Sequence, residues 1–181
     1  LFLITPSQAD DIRDFQIEGI SIGNSLLDFF SKEEIKINLR KDYYQYKSNK
    51  KFVAVEFYQF PFFNTYDGVQ FHVKSNDKKY IIYSITGYIF YDENIDDCYK
   101  KLNEIDKEFS NIFKDAKRED MGIKKHPKDK SGKSTAKEIF YWFKTGERTV
   151  IDCYDWSSEM KGNDSLGVSL DAKEFVDWLN E

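Results

Sequence analysis

The chain has 181 residues, of which 40% are hydrophobic and 17% aromatic, and its formal net charge is −5 at pH 7. This length allows one domain of ordinary size or two small units with a shared core, and burial of so many aromatic side chains excludes intrinsic disorder. An acidic chain has no overall field that attracts nucleic acid, so no nucleic-acid partner is expected.

The first nine residues, LFLITPSQA, are mostly apolar and precede a polar run that begins at Asp10. Ser7 and Ala9 are the small residues of a secretory cleavage site. We therefore predict that residues 1–9 are the remnant of a signal peptide and that the protein is periplasmic or secreted. The alternative is an apolar first core strand. No later stretch has the ~20 apolar residues of a transmembrane segment.

The first half of the chain predicts two short helices and a three-stranded meander. The helices lie in series over residues 20–39, and Ser31 with Glu34 forms a capping box for the second. Three runs of β-branched and aromatic residues then alternate with polar residues, which is typical of strands. These strands are predicted at residues 52–60, 66–73 and 80–91.

The second half begins with the most regular pattern in the sequence. Apolar residues at spacings of three and four predict a long helix over residues 94–116. A lysine-rich segment without periodicity follows, to about Ser134. Three more strands are then predicted at residues 135–143, 148–156 and 164–171, and a closing helix at residues 172–179.

This order predicts an α+β fold of two αβββ-like units with antiparallel meander sheets, a long helix packed on the sheet and a short C-terminal helix. The first unit would span residues 10–92 and the second residues 93–181. A continuous domain built from both units is the alternative.

The two cysteines lie on sides of their elements that are both predicted to face the core. Cys98 belongs to the apolar stripe of the long helix, and Cys153 alternates with Ile151 and Thr149 along its strand. If that side of the strand faces the helix, both sulfur atoms lie in one layer of the core. We therefore predict a disulfide bond, as is common in exported proteins. Two buried free thiols are the alternative.

Two stretches resemble ligand motifs but lack required residues. Residues 131–135 resemble the end of a phosphate-binding loop, but Pro127 stands where the motif needs glycine. Asp92, Asn94 and Asp96 have the spacing of calcium ligands, but the turn position that must be glycine is Asp97. These residues are interpreted instead as the cap and acidic first turn of the long helix.

Catalytic residues, metal ligands and cofactors are all predicted to be absent. The only histidines, His72 and His126, are interpreted as surface residues and are too few for a histidine zinc site. A carboxylate pair for hydrolysis stays open, because the sequence does not give the distance between two acidic side chains.

The lysine-rich segment is a candidate anion site. Residues 114–137 carry nine positive and four negative charges. The alternative is a solvated loop, which is favoured because no aromatic residue is interleaved to stack on a ligand. The candidate anion-binding residues are Lys124, Lys125, Lys128, Lys130 and Lys133.

Aromatic residues form the strongest candidate for recognition. They cluster around Pro61 between the first two strands, and they occupy both faces of two strands in the second half. Aromatic side chains concentrate binding energy at interfaces because they offer a large rigid area. The alternative is that they pack into one continuous core. The candidate binding residues are Tyr58, Phe60, Phe62, Phe63, Tyr66, Phe140, Trp142, Tyr154 and Trp156.

The stretch of residues 17–21, followed by Leu26, Leu27 and Phe30, resembles the opening of αβββ-type exported modules. That class includes β-lactamase inhibitor protein and the small outer-membrane assembly lipoproteins. The chain departs from the lipoproteins because it has no lipid-modified cysteine. The resemblance implies a protein-binding module with an aromatic sheet surface and no catalysis.

These observations predict an exported, non-catalytic binding protein whose partner, a protein or an envelope component, meets an aromatic hairpin or sheet face. The alternative is a periplasmic enzyme that acts on a polymer through a carboxylate pair. The sequence does not indicate the partner's identity or the oligomeric state.

Overall fold

The computed structural model of the chain describes residues 12–41, 49–92, 94–160 and 162–181. The predicted signal segment, including Ser7 and Ala9, lies outside the described residues.

Eight strands form one antiparallel sheet, which confirms the predicted α+β class. The strand order is β1-β2-β3-β4-β8-β7-β6-β5, so two meanders join where β4 pairs with β8. The strands are β1 (Leu39–Arg40), β2 (Phe52–Tyr58), β3 (Gly68–Lys74), β4 (Ile82–Phe90), β5 (Lys117–Lys125), β6 (Thr135–Trp142), β7 (Arg148–Asp155) and β8 (Ser165–Asp171).

One strand, β5, lies where the sequence predicted no regular structure. It is the outermost strand of the second meander, and most of its residues are exposed on both faces. An edge strand without a buried face has no reason to alternate apolar and polar residues, so the usual pattern is missing. A bulge between Asp120 and Ile123 disturbs its pairing further, with Gly122 at a positive φ of 63°.

Three α-helices accompany the sheet within the described residues: α1 (Lys32–Ile37), α2 (Ile95–Ile112) and α3 (Lys173–Asn180). The capping box of α1 is confirmed, because Ser31 Oγ accepts from the Glu34 amide at 3.2 Å and the Glu34 carboxylate accepts from the Ser31 amide at 2.8 Å. The first of the two predicted short helices is a single 3-10 turn, Leu26–Asp28.

The main core lies between one face of the sheet and helix α2. The helix buries Cys98, Leu102, Ile105 and Phe109 on that face. Cys98 and Cys153 form the predicted disulfide bond, with their Cα atoms 6.1 Å apart. The core also takes apolar residues from the segment before the 3-10 turn and from both meanders.

Helix α3 packs on the other face of the sheet, where Phe175 and Trp178 contact Phe52. His72 stacks on Phe175 with ring centroids 4.5 Å apart and is only 2% exposed. It is therefore a buried residue and not the surface histidine that was predicted. Burial lowers the pKa of His72 to about 3, so its ring is neutral at physiological pH.

Among the helices of the described residues, none has both the length and the apolar character that a membrane crossing requires.

Candidate functional site

The face of the sheet opposite α2 forms a groove of about 560 Å³. Strand residues alternate between the two faces, and the groove is lined by residues two positions apart in β2, β3, β4, β6 and β7 and by Ser165, Ser169 and Asp171 of β8. Helix α3 adds Phe175 and Leu179 to the lining, and the loop after β5 adds His126 and Lys128.

On the groove face, β8 presents only small residues over most of its length. These are Ser165, Gly167 and Ser169. Next to them, β4 contributes Ser84 and Thr86, so these residues of β8 and β4 form a groove floor that carries hydroxyl groups.

Aromatic side chains form the two walls. On one side, Tyr58 stacks on Phe90 with centroids 6.1 Å apart. On the other side, β7 and its continuation carry Tyr154 and Trp156, whose rings stack at 5.3 Å. Strand β6 carries a second stacked pair, Phe140 and Trp142, at 5.7 Å. Five of the nine predicted binding residues thus lie on the groove face of the sheet.

The other four predicted binding residues pack against the main core. Phe60 and Phe62 lie 5.1 Å and 5.4 Å from Phe30, between ring centroids, and Phe63 and Tyr66 also contact the core cluster. All four are partly buried. The aromatic hairpin, residues 59–67, therefore covers part of the main core.

The carboxylate of Glu18 ties this hairpin to the segment before the 3-10 turn. It accepts hydrogen bonds from the backbone amides of Asn64, Thr65 and Tyr66 at 3.0, 2.7 and 2.9 Å. Glu18 itself occupies a tight turn in which Ile17 and Ile20 exchange two backbone hydrogen bonds of 3.0 Å. Three charge-assisted hydrogen bonds hold the hairpin in place.

One guanidinium group is already held on the groove face. Arg148 Nε donates to Asp171 Oδ2 at 2.8 Å, and both side chains are largely buried. The Arg148 Cζ atom lies 5.3 Å from the Phe140 ring centroid and 5.4 Å from that of Trp142. A carboxylate and two aromatic rings thus position this arginine.

Asp152 and Glu138 lie directly opposite each other on β7 and β6 and both line the groove. Asp152 is only 9% exposed, and its Oδ1 atom has no hydrogen-bond partner among the described residues. Its carboxyl group occupies the space above Gly167, where a Cβ atom would lie 2.9 Å from Asp152 Cγ. Burial, together with the charges of Glu138 and Asp171, raises the pKa of Asp152 to about 7.

This pair was not predicted from the sequence, although the sequence contains a feature that indicates it. The short turn at residues 144–146 joins β6 to β7 as a hairpin and sets the register in which Glu138 faces Asp152. What the hairpin does not reveal is burial, which depends on β8 and on the groove walls.

His126 borders the same wall. Its ring contacts Trp156 with centroids 4.6 Å apart, and its Nδ1 atom is buried with no hydrogen-bond partner in the described chain. Burial and the nearby charge of Lys128 lower the pKa of His126. The residue is half-buried and more enclosed than the surface position that was predicted.

The predicted anion-binding lysines are spread over an edge strand and an ordered loop. Lys124 and Lys125 end β5, whereas Lys128, Lys130 and Lys133 belong to the loop between β5 and β6. Lys133 forms an ion pair with Glu159 at 2.9 Å. The segment is thus part strand and part structured turn.

Asp129 organises that loop. Its carboxylate accepts from the Ser131 amide at 2.8 Å, from the amide and hydroxyl of Ser134 at 2.8 and 2.6 Å, and from the Ser157 hydroxyl at 2.9 Å. These hydrogen bonds stabilise the charged form and hold the pKa of Asp129 well below its usual range.

In the described part of the chain, no group of three or more histidine, cysteine, aspartate or glutamate side chains is arranged to hold a metal ion. Comparison with known proteins gave no match to a family model, to a curated protein or to a solved structure.

Proposed function

We propose that this chain is an exported binding protein without a catalytic role, and that its partner, a protein or an envelope component, docks in the groove on the sheet face opposite α2. The observation that carries the proposal is the groove itself, with a floor of small polar residues between stacked aromatic walls. Concave sites of this kind, largely preformed and with a few polar groups at the bottom, are typical binding sites.

The rigidity of the groove supports this proposal. Its floor belongs to central strands of the sheet, which β-ladders hold on both sides. The wall residues are aromatic and already stacked on one another, so little side-chain entropy remains to be lost when a partner binds. In contrast, the rings of the aromatic hairpin are partly buried against the core, which leaves less of their surface for a partner.

The disulfide bond supports export. Disulfides persist in oxidising compartments such as the periplasm and the exterior, and they are rare in the reducing cytosol. This agrees with the predicted signal-peptide remnant at residues 1–9.

A comparison of variants tests the groove. Immobilised wild-type protein and the double variant Tyr58→Ala/Phe90→Ala, which removes one wall, are exposed to a solubilised envelope fraction. The control is Ile37→Ala, which also removes exposed apolar surface but lies in α1, away from the groove. We expect a specific partner to be retained by wild type and control and lost by the wall variant. Equal retention by all three proteins would refute the groove as the binding site.

The opposed carboxyl groups of Asp152 and Glu138 favour one second candidate, an enzyme that acts on an envelope polymer. Two neighbouring carboxyl groups can serve as acid and base, and burial raises the pKa of one of them, Asp152, to about 7. Release of soluble fragments from purified cell-wall polymer, abolished by Glu138→Gln, would establish the enzyme. Fragment release that is the same without protein would exclude it for that polymer.

A further inference from the structure

We infer that the part of the groove around Glu138 and Asp152 is a subsite for a cationic side chain of the partner, best matched by a guanidinium group. This inference rests on the proposed function and specifies the chemistry that the groove recognises.

The two carboxyl groups have hydrogen-bonding capacity that no described residue uses. The Glu138 side chain makes no hydrogen bond and no ion pair with any described residue. Asp152 is about nine-tenths buried, and its Oδ1 atom lacks a partner within the described residues. Buried acceptors are nearly always satisfied, because an unpaired one costs the free energy of its lost hydration. A donor from outside the described chain would satisfy both groups.

The two carboxyl groups also place negative charges next to each other. Directly opposed residues of neighbouring strands have Cβ atoms roughly 5 Å apart, and like charges in that position repel. This repulsion contributes to the raised pKa of Asp152. The described groove lining contains four carboxyl groups, those of Glu56, Glu138, Asp152 and Asp171, and two permanent cations, Arg148 and Lys128.

Two of these carboxyl groups already have cationic partners. Asp171 pairs with Arg148, and Glu56 pairs with Arg40 at 3.4 Å. The surplus of negative charge therefore falls at Glu138 and Asp152, where a bound cation would remove the repulsion.

The groove face already binds one guanidinium group, that of Arg148, through aromatic rings and a carboxylate. That guanidinium lies against the rings of Phe140 and Trp142 and donates to Asp171. Along their strands, the two carboxyl residues also have aromatic neighbours on this face. Phe140 follows Glu138 at the next groove-facing position of β6, and Tyr154 follows Asp152 in the same way on β7. A planar guanidinium can bridge two carboxylates and contact aromatic rings, whereas an ammonium group acts as a point charge.

Binding of short peptides tests the subsite directly. The probes are the peptide acetyl-Gly-Arg-Gly-Arg-Gly-amide and two matched peptides in which lysine or citrulline replaces both arginines. Affinities are measured by calorimetry at low salt, and amide shifts of Asp152 and Gly167 are followed by NMR. We expect the arginine peptide to bind at least about tenfold more tightly than the neutral citrulline peptide. The lysine peptide should bind more weakly than the arginine peptide, because an ammonium group lacks the planar fork, and equal affinities of the two would overturn the preference for a guanidinium group.

The matching protein variants are Glu138→Gln, which removes the charge of the subsite, and Glu108→Gln, which removes one exposed charge on α2. Glu138 has no partner to lose among the described residues, so we expect Glu138→Gln to fold normally by circular dichroism. We expect it to weaken arginine-peptide binding about tenfold or more, while Glu108→Gln changes nothing. Equal affinities for arginine and citrulline peptides, or for Glu138→Gln and wild type, would overturn the inference.

The envelope experiment separates the two proposals. If retention of the envelope partner depends on the Tyr58 and Phe90 wall but not on Glu138, the cation subsite is wrong and the groove function stands. If retention depends on neither, the proposed function is wrong as well.

Discussion

At the scale of single residues, the groove depends on its smallest side chains. Gly167 leaves room for the carboxyl group of Asp152, which would otherwise collide with a Cβ atom at that position. The consequence is a carboxyl group that is enclosed on the floor, next to Glu138, and that titrates near neutral pH.

The raised pKa of Asp152 predicts a specific dependence of stability on pH. Because the pKa of Asp152 in the folded state, about 7, lies above its ordinary value of 3.8, the folded state binds more protons between these values, and stability falls as the pH rises through this range. The variant Asp152→Asn cannot titrate. Relative to wild type, its free energy of unfolding should therefore improve by roughly 2–3 kcal/mol between pH 5 and pH 8. Urea denaturation at both pH values measures the difference.

For this comparison Glu108→Gln is the control, and its curve should follow that of wild type at both pH values. A constant difference between Asp152→Asn and wild type at pH 5 and pH 8 would show that Asp152 does not titrate in this range.

The hydrogen bonds of Asp129 predict that its loss destabilises the loop after β5 locally. Its carboxylate bonds to Ser131, Ser134 and Ser157 connect the loop after β5 to the segment after β7. We expect Asp129→Ala to increase amide hydrogen exchange at residues 126–134 while exchange in α2 stays unchanged. The control, Asp115→Ala, removes an exposed carboxylate with no partner among the described residues. Unaltered exchange in the loop of Asp129→Ala would contradict this role.

At the scale of elements, the disulfide joins α2 to β7 across the core. Cys98 and Cys153 are separated by 55 residues in sequence. Closing a loop of that length restricts the unfolded chain and stabilises the fold by about 4 kcal/mol in the chain-entropy treatment. We expect the double variant Cys98→Ala/Cys153→Ala to lose stability of this order in guanidinium denaturation.

Reduction provides the internal control for the disulfide prediction. Dithiothreitol should lower the denaturation midpoint of the wild type and leave that of the double variant unchanged. A reduced wild type that is as stable as the oxidised protein would contradict the predicted contribution of the bond.

The aromatic hairpin gives a second prediction at this scale. Phe62 and Phe63 were predicted from the sequence as candidates for recognition, and rings with that role alone could be truncated without loss of the fold. The structure packs them against the core near Phe30, so we now expect the double variant to lose about 2–4 kcal/mol of stability. Tyr58→Ala, which truncates a 49% exposed ring, is the control and should lose much less. Equal losses would show that the hairpin rings contribute no more than a surface residue.

At the scale of the whole molecule, the pairing of β4 with β8 joins the two meanders into one sheet with one main core cluster. That cluster includes residues from both halves, such as Phe71 of β3 and Ile151 of β7, together with Leu102 of α2. Shared burial of this kind couples the unfolding of the parts that share it.

We therefore expect a single cooperative unfolding transition. Far-ultraviolet circular dichroism reports the whole sheet, and tryptophan fluorescence reports Trp142, Trp156 and Trp178. The two signals should change with the same midpoint in urea. Separate midpoints would show that the two meanders unfold as independent units.

Local patterns were sufficient for much of the fold. The bounds of six strands and of helices α2 and α3 were predicted to within a few residues, because burial on one face imposes a period on the residues of each element. The same reasoning placed Cys98 and Cys153 on facing sides of α2 and β7. It failed at β5, where no face is buried, and at His72, which α3 covers from a distant part of the chain.

The sequence by itself predicted which side of most helices and strands turns inward, and with it the disulfide, since these follow from periods of two and 3.6 residues. The tertiary structure decided which aromatic residues complete the core and which line a groove, and it brought Asp152 onto Gly167. Those outcomes depend on the pairing of β7 with β8 and of β4 with β8 and on the docking of α3. The physical reason is that burial of a side chain is set by neighbours that are distant in sequence, which a local period does not contain.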